Sequence, residues 1–384
     1  MSYVLCTMFL NFGLKNRGLN SKLRGMSLSD PRVKNQAQIL VDYSIKVKEG
    51  DNVVVLSEFV AKPLVLEIYK FLLKRGANEV KLHFSDYEFA EVYYKNASMK
   101  QIKSFPQLEM DETKKMDCYI RIGSPSNTRG LTNVDTKKIS ERAKVTRPIL
   151  NWRVDKTRWV VTKFPTNAQA QEADMSLSEY ENFVFSAING VDWPKKRLEQ
   201  EKLRKLVDKT SEVHIVGFGT DLRLNIKGRR AVNAGGEYNM PDGEVFTSVI
   251  ENGVSGFITY SYPALYYGKE FHNVYLEFKK GRVVKAKAEK GEGDLIKILD
   301  TDSGARRIGE LGIGNNYKIT RFTKDILFDE KIGGSIHLAL GRGYKENLSK
   351  NESAIHWDMI KDLRQGGDLW FDDKLVQKNG KWVF

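Results

Sequence analysis

A histidine and an aspartate stand two positions apart near the C-terminus, in the stretch SAIHWDM (residues 353–359). If this stretch is a strand, alternate side chains share a face, so His356 and Asp358 point to one side and Trp357 to the other. Their Cα atoms would then lie about 6–7 Å apart, at a rise of roughly 3.3 Å per residue. This geometry suits half of a metal site, and it equally suits two polar residues on the hydrated face of an ordinary strand.

Three further segments place a histidine or an acid in an unusual setting. In NMPDGEVFT (residues 239–247), Glu244 opens a strand directly after a Pro-Asp-Gly turn. Within residues 302–312, Glu310 lies between glycines, where a backbone can approach a site closely. In GSIHLALGRGY (residues 334–344), His337 is flanked by isoleucine and leucine, which predicts a strand with one apolar face and His337 on the other. Taken singly, each residue is also what a solvated strand contains.

Together, these residues have the composition of a two-metal site. Two neutral imidazoles and three carboxylates carry a charge of −3, two divalent cations carry +4, and a bridging hydroxide would bring the total to zero. Buried carboxylates without cations would be very costly, so such a cluster in a pocket implies metal. Ligands with nitrogen and oxygen but no sulfur suit Zn²⁺, Co²⁺ or Mn²⁺, with Mg²⁺ as a further option. Two such ions about 3.5–4 Å apart can activate a water and polarise a carbonyl.

A tyrosine follows one of these segments. Tyr344 lies seven positions beyond His337, after a Gly-Arg-Gly turn. Its hydroxyl could donate a hydrogen bond to the oxyanion that develops during attack on a carbonyl. An ordinary packing role for this tyrosine is equally open.

The elements that must position these residues fall into two regions. The N-terminal half alternates helices and strands, which predicts an α/β domain with a mostly parallel sheet. After residue 211, short alternating strands and glycine turns predict a β-rich α+β metal-binding catalytic domain. We therefore predict an extension over residues 1–25 that is weakly ordered, an N-terminal domain over 26–210 and a catalytic domain over 211–384. The individual predictions in the first half are helices at 32–48, 60–75 and 135–143 and strands at 52–56, 79–84, 117–122, 147–152 and 159–162.

Composition excludes several classes of protein. Two cysteines, Cys6 and Cys118, are too few for a disulfide framework or a cysteine-built zinc cluster, which favours a cytoplasmic compartment. No apolar run approaches the length of a membrane span. HExxH, the G-x-S-x-G elbow, the P-loop and G-x-G-x-x-G after a strand are all missing. The net charge of +13 is diffuse and has no nucleic-acid-binding module around it.

The remaining histidines have no obvious chemistry. His83, His214 and His272 each lie in an alternating strand, and we expect no acid partner nearby. We interpret all three as ordinary strand residues.

Long motifs in a fixed order resemble a known family. The strings NMPDGEVFT, DSGA followed by IGE, HLALGRGY and NESAIHWD resemble the thermophilic metallo-aminopeptidases, peptidase family M29, the aminopeptidase T and aminopeptidase S group. The resemblance extends upstream through DPRVKNQAQILVDYSIKVKEGDNVVV and FPTNAQAQEADMSLSEYENFVF, and it covers about residues 28–384. The first 25 residues have no counterpart in the family.

The resemblance implies roles for six residues. Glu244, Glu310, His337, His356 and Asp358 match the two-metal ligands of the family. In addition, Tyr344 matches its catalytic tyrosine. Glu310 could act as a ligand, as a base, or as both in turn. Members of the family are similar in being cytoplasmic homodimers.

The expected function is a metal-dependent aminopeptidase that releases single N-terminal residues from peptides by means of a two-metal-activated water. Its partners would be peptides with a free N-terminus and a second copy of the chain, with no membrane and no specific nucleic acid. Two rival hypotheses remain at this point: another two-metal hydrolase such as a phosphoesterase, and a non-catalytic nucleic-acid-binding protein.

Overall fold

The structure is a computed structural model and describes residues 30–384. The predicted extension over residues 1–25 lies outside the described residues. A π-helical turn, Ile39–Ser44, continues the first α-helix. The α-helices are α1 (Pro31–Gln38), α2 (Lys62–Lys74), α3 (Tyr87–Asn96), α4 (Met99–Ile102), α5 (Gln107–Lys115), α6 (Thr136–Lys156), α7 (Asn167–Glu172), α8 (Leu177–Asn189), α9 (Trp193–Lys209), α10 (Glu292–Leu299) and α11 (Ile326–Asp329).

The strands are short, and most of them lie in the second half of the chain. They are β1 (Asn52–Ser57), β2 (Glu79–Phe84), β3 (Cys118–Gly123), β4 (Arg158–Lys163), β5 (Glu212–Gly217), β6 (Thr220–Asn225), β7 (Val232–Ala234), β8 (Asn239–Met240), β9 (Glu244–Thr247), β10 (Val254–Thr259), β11 (Ala264–Tyr266), β12 (Lys269–Phe271), β13 (Tyr275–Lys279), β14 (Arg282–Lys287), β15 (Ile308–Gly314), β16 (Ser335–Gly341), β17 (His356–Asp362), β18 (Asp368–Phe371), β19 (Lys374–Lys378) and β20 (Lys381–Trp382).

The first half of the chain builds a parallel sheet in the order β2-β1-β3-β4-β8. The consecutive valines of β1 suit this position because both faces of a parallel strand are covered. Val53 and Val55 pack with Leu64 and Ile68 of α2 on one face, and Val54 contributes to a smaller cluster on the other. The prediction of an α/β region with a mostly parallel sheet is confirmed.

One predicted strand is wrong. Residues 147–152 lie inside the 21-residue helix α6, which includes Pro148. The helix continues past the proline because tertiary contacts outweigh its unfavourable propensity. Ile149 is buried, and the Arg153 guanidinium lies 4.4 Å from the centre of the Tyr119 ring of β3.

The second half forms two large antiparallel sheets that pack on each other, together with the two-stranded sheet β11-β12. An eight-stranded sheet runs β14-β13-β10-β6-β5-β18-β19-β20, and a five-stranded sheet runs β17-β16-β15-β9-β7. A single buried core joins them, with Leu222 and Leu276 from the larger sheet and Leu311, Leu338 and Trp357 from the smaller. The prediction of a β-rich region after residue 211 is confirmed, and the smaller sheet carries the candidate site.

The chain returns to the first sheet after the proposed boundary near residue 210. β8 pairs with β4 in parallel, and Met240 and Phe328 belong to the buried core of the N-terminal sheet. Whether the two halves fold as separate domains therefore stays a prediction. Among residues 30–384, no helix combines the length and apolar character that crossing a membrane requires.

Candidate metal centre

The five residues proposed from sequence as ligands share one face of the five-stranded sheet. Directly paired residues and alternate residues along a strand lie on the same face, and the registers of β9, β15, β16 and β17 place all five in one patch. They are Glu244, Glu310, His337, His356 and Asp358. The opposite face of the same strands is the apolar core, so hydrophobic burial holds the strands in the register that gathers the polar side chains.

Small residues on this face make room for the cluster. Gly312 is paired with His337, and a Cβ built on Gly312 would lie 1.9 Å from the imidazole. Ala339 separates Glu310 from Asp358 across the sheet. A larger residue at the position of Gly312 would displace the imidazole, so the glycine is part of the site's construction.

The side chains of the cluster converge at hydrogen-bond and ion-pair distances. His337 Nε2 lies 3.3 Å from Glu310 Oε1 and 3.5 Å from Glu244 Oε2. His356 Nε2 lies 3.3 Å from Asp358 Oδ2 and 3.8 Å from Glu310 Oε2. Glu310 is therefore the residue that connects the two histidines.

Backbone carbonyls orient both imidazoles. The Nδ1 of His337 donates to the carbonyl of Glu330 at 3.1 Å, and the Nδ1 of His356 donates to the carbonyl of Arg342 at 2.7 Å. Because a carbonyl can only accept, each Nδ1 carries a proton and each Nε2 is directed at the carboxylates. Such outer hydrogen bonds fix ring orientation in metal-binding histidines.

Sequence reasoning missed two neighbouring residues, Glu330 and Lys331. Lys331 is fully buried, with its Nζ 3.3 Å from Glu244 Oε1, and it also pairs with Glu330. One possible ligand atom each from Glu330, His337 and Asp358 lies within 4.8 Å of the others. The lysine and the additional glutamate cancel in charge, so the net −3 of the five proposed ligands is unchanged.

Electrostatics favour a cation in this cluster. Burial raises the pKa of Glu310. Burial also disfavours the charged form of His356, but Asp358 and Glu310 outweigh it and raise the pKa of His356 to about 10. Burial would raise the pKa of Asp358 too, yet the His356 imidazolium lowers it below its usual range. In the absence of metal, protons on the imidazoles thus supply positive charge to the carboxylates.

The hydrogen bonding of three buried carboxylate oxygens indicates whether these residues suit a metal ion. Glu244 Oε2, Glu310 Oε2 and Asp358 Oδ1 have no hydrogen-bond partner among the described residues. Leaving a buried carboxylate oxygen without a hydrogen bond is costly, and coordination to a divalent cation would remove that cost. The residues present therefore fit a metal-binding role.

Tyr344 lies at the rim of the cluster. Its ring centre is 5.4 Å from that of His356 and 5.8 Å from that of Phe246, and 45% of the residue is exposed. Desolvation and the carboxylates of Glu310 and Asp358 raise the pKa of the phenol well above its usual value. The hydroxyl consequently keeps its proton and can donate a hydrogen bond.

The other three histidines have acid partners, contrary to the expectation from sequence. His83 pairs with Glu112 at 2.9 Å, His214 with Asp221 at 2.8 Å and His272 with Glu270 at 3.3 Å. Two of the partners come from neighbouring elements that the fold brings alongside, and Glu270 lies two positions before its histidine. None of the three histidines reaches the cluster on the five-stranded sheet.

Buried carboxylates and imidazoles that converge on one face of a sheet are the donor groups with which metal-dependent enzymes bind metal ions. Comparison with known proteins agrees with this class. A family model described as thermophilic metalloprotease (M29) matches residues 29–382. The chain belongs to that family, as the sequence resemblance predicted, and is a metal-dependent peptidase.

The similar proteins span almost the whole chain. Aminopeptidase AmpS of Bacillus subtilis is 28% identical over 408 residues, covering 92% of this chain and 98% of the relative. Aminopeptidase T of Thermus thermophilus is 32% identical over 200 residues, covering 44% of this chain and 48% of the relative.

Solved structures show the same fold. Wild-type AmpT from Thermus thermophilus has a TM-score of 0.82 at 22% identity, covering 92% of this chain and 99% of that one. A 2,5-dihydroxypyridine dioxygenase from Pseudomonas putida KT2440 has a TM-score of 0.60 at 13% identity, covering 93% and 98%. The fold therefore also occurs in a protein named for a different reaction.

Proposed function

We propose that the protein is an aminopeptidase with two divalent metal ions that releases single residues from peptides with a free N-terminus. The observation that carries the proposal is the convergence of Glu244, Glu310, His337, His356 and Asp358 on one sheet face, where three buried carboxylate oxygens have no hydrogen-bond partner among the described residues. The names of the similar proteins, which are aminopeptidases, support the same substrate class.

The same five residues would hold the metals, and Glu330 is a candidate sixth ligand because of its position beside His337 and Asp358. Zn²⁺ or Co²⁺ suits this set of nitrogen and oxygen ligands best, with Mn²⁺ or Mg²⁺ as alternatives. When bound, such ions activate a water and polarise the scissile carbonyl. No contact of the described residues favours a phosphoester or a nucleic acid as substrate instead.

The chain's own groups account for the remaining steps. Tyr344 keeps its proton and donates a hydrogen bond to the oxygen that becomes negative during attack. Glu310, between the two histidines, is placed to hold a metal or to accept the proton of the attacking water.

A comparison of two peptides tests the proposal. Metal-loaded protein should release the first residue of an unmodified peptide and leave the N-acetylated peptide intact, as followed by mass spectrometry. Tyr344→Phe should lower kcat by about 10²–10³-fold, the range for the loss of one oxyanion donor, while metal content is unchanged. Cleavage of both peptides at equal rates, or of neither, would contradict the aminopeptidase assignment.

We also infer a cytoplasmic homodimer. The resemblance to the family supports both statements, and Cys118 is buried as a free thiol, which suits a reducing compartment. Light scattering should give twice the 43.9 kDa of one chain. A mass equal to a single chain at micromolar concentration would contradict the dimer.

A further inference from the structure

A small cleft lies beside the proposed ligands His356 and Asp358. Its volume is about 150 Å³, and both of these residues line it. Among the other residues that line it, only Asp329 carries a charge. The main apolar lining residues are Leu265, Tyr266, Phe322, Ile326, Trp357 and Met359.

The cleft exists because β17 is the outermost strand of its sheet. The backbones of Ile355 and Leu363 form hydrogen bonds on the side of β16. Because backbone groups along a strand point alternately to its two sides, the N–H and C=O groups of His356 and Asp358 point to the outer edge. The segment that follows β10 in the same polypeptide contacts that edge at Ser261, whose N–H donates to the carbonyl of Ile360 at 3.1 Å. Beyond Ser261 the chain turns into the β11–β12 hairpin, and among the described residues no strand pairs with the outer edge of β17.

Most residues that line the cleft are apolar, and the second acid is already hydrogen-bonded. Asp329 is the one acid in the lining besides Asp358, and its Oδ1 accepts hydrogen bonds from Thr323 N at 2.7 Å and Thr323 Oγ1 at 2.9 Å. Its carboxylate is therefore engaged with its own segment. Ile326, by contrast, is 44% exposed although it is a large apolar residue, which leaves part of its surface available to a ligand.

The volume sets the size of that ligand. An apolar protein cavity of about 150 Å³ is large enough to bind benzene. The cleft of about 150 Å³ thus has room for a side chain of the size of leucine, methionine or phenylalanine. A glycine or alanine side chain would leave most of it unfilled.

We propose that this cleft binds the side chain of the substrate's N-terminal residue and makes the enzyme selective for apolar residues of that size. The proposal rests on the proposed function, because it places the α-amino group and the first peptide bond at the ligand cluster next to the cleft. An apolar pocket discriminates by about 10–200-fold for each methylene group that is missing. Leucyl substrates should accordingly exceed glycyl substrates in kcat/KM by at least about 100-fold.

Substitutions at Ile326 test the assignment with leucyl, phenylalanyl and glycyl 4-nitroanilides on the metal-loaded enzyme. Ile326→Trp fills the cleft and should lower the leucyl-to-glycyl ratio of kcat/KM at least about tenfold. Ile326→Ala widens the cleft and should raise the phenylalanyl-to-leucyl ratio. Val284→Trp is the matched control, because Val284 is 50% exposed on β14, outside the cleft, and should leave both ratios unchanged. Unchanged ratios in both Ile326 variants would overturn the proposal.

A binding measurement separates the cleft from the catalytic proposal. Calorimetry on the metal-loaded protein should show the uncleavable amino alcohol leucinol binding at least about tenfold more tightly than ethanolamine, its glycine counterpart, and Ile326→Trp should remove the difference. If this holds while no peptide is cleaved, the cleft assignment stands and the aminopeptidase proposal fails. If peptides are cleaved but both amino alcohols bind equally, the cleft assignment is wrong and the aminopeptidase proposal stands.

Discussion

At the scale of single residues, Lys331 has the least expected environment in the protein. Its ammonium group is fully buried beside Glu244 and Glu330 and so provides a fixed positive charge inside an anionic cluster. A buried ion pair contributes little net stability when intact, but removing one partner leaves an uncompensated charge.

Lys331→Met should therefore destabilise the metal-free protein by about 3–5 kcal/mol in urea unfolding. Lys297→Met provides the control, because the Lys297 side chain is 80% exposed in its pair with Asp294 and exposed ion pairs contribute little to stability. Equal and small effects of the two substitutions would show that Lys331 is not needed to neutralise the cluster.

The sequence identifies some of these residues and not others, for a physical reason. His356 and Asp358 are recognisable because they alternate with apolar residues, and this alternation indicates both a strand and the face to which their side chains point. Glu330 and Lys331 lie just after α11, outside any periodic pattern, and as a neighbouring acid and base they resemble an ordinary surface pair. Only the fold shows that they point into the site.

At the scale of elements, the pairing of β15 with β16 builds the centre of the site. Gly312 faces His337 across this pair, and the imidazole occupies the space that a side chain at position 312 would need. The same strand buries Leu311 and Ile313 on its other face, so it cannot move away to relieve a clash.

Gly312→Ala should cost about 1–3 kcal/mol of stability, as overpacking does, and should weaken metal binding by displacing His337. Gly293→Ala in α10 is a suitable comparison, since a Cβ there meets nothing within 4 Å and alanine favours a helix. Thermal unfolding would measure the stability of both variants, and metal titration would measure their metal affinity. Full metal affinity in Gly312→Ala would mean that His337 is not held by this contact.

Element predictions succeeded where periodicity was strong and failed where packing overrode it. The β-α-β pattern of β1, α2 and β2 was visible in the sequence and is confirmed within a few residues. The strand predicted at residues 147–152 is wrong because helix α6 continues through this whole segment, including Pro148. The two-residue strand β8 is too short to leave any pattern, so the return of the chain to the first sheet could not be predicted.

At the scale of the whole molecule, a charged cluster joins the two halves of the chain. Arg129 follows β3 and pairs with Glu172 of α7 at 2.8 Å and with Glu270 of β12 at 3.1 Å. Glu270 also contacts Lys324 at 3.3 Å and His272 at 3.3 Å. Because α7 precedes residue 210 and β12 follows it, this cluster connects the regions that the sequence distinguishes.

The cluster predicts a dependence of stability on pH. Burial would raise the pKa of Glu270, but Arg129, His272 and Lys324 outweigh it and lower the pKa to about 2. An acid with a lowered pKa stabilises the fold above its unfolded pKa of about 4.3 and loses that contribution as the pH falls toward 2. The urea concentration at the midpoint of unfolding should consequently decrease when the pH is lowered from 5 to 3.

Glu270→Gln should make that fall smaller, because the group that titrates differently in the two states is gone. Glu277→Gln is the matched control, since Glu277 contacts Lys279 of its own strand. It should retain the wild-type change between the two pH values. If the urea midpoint of Glu270→Gln decreases between pH 5 and pH 3 as much as that of the wild type, this cluster is excluded as a source of acid sensitivity.

The central claim is that the face of the five-stranded sheet binds metal through His356 and its neighbours. Mass spectrometry of the elements, applied to the purified protein and to His356→Ala, tests it most directly. We predict two equivalents of divalent metal per wild-type chain, loss of at least one equivalent in His356→Ala, and retention of both in His214→Ala, whose histidine pairs with Asp221 away from the cluster. Equal metal content in wild-type protein and His356→Ala would contradict the account.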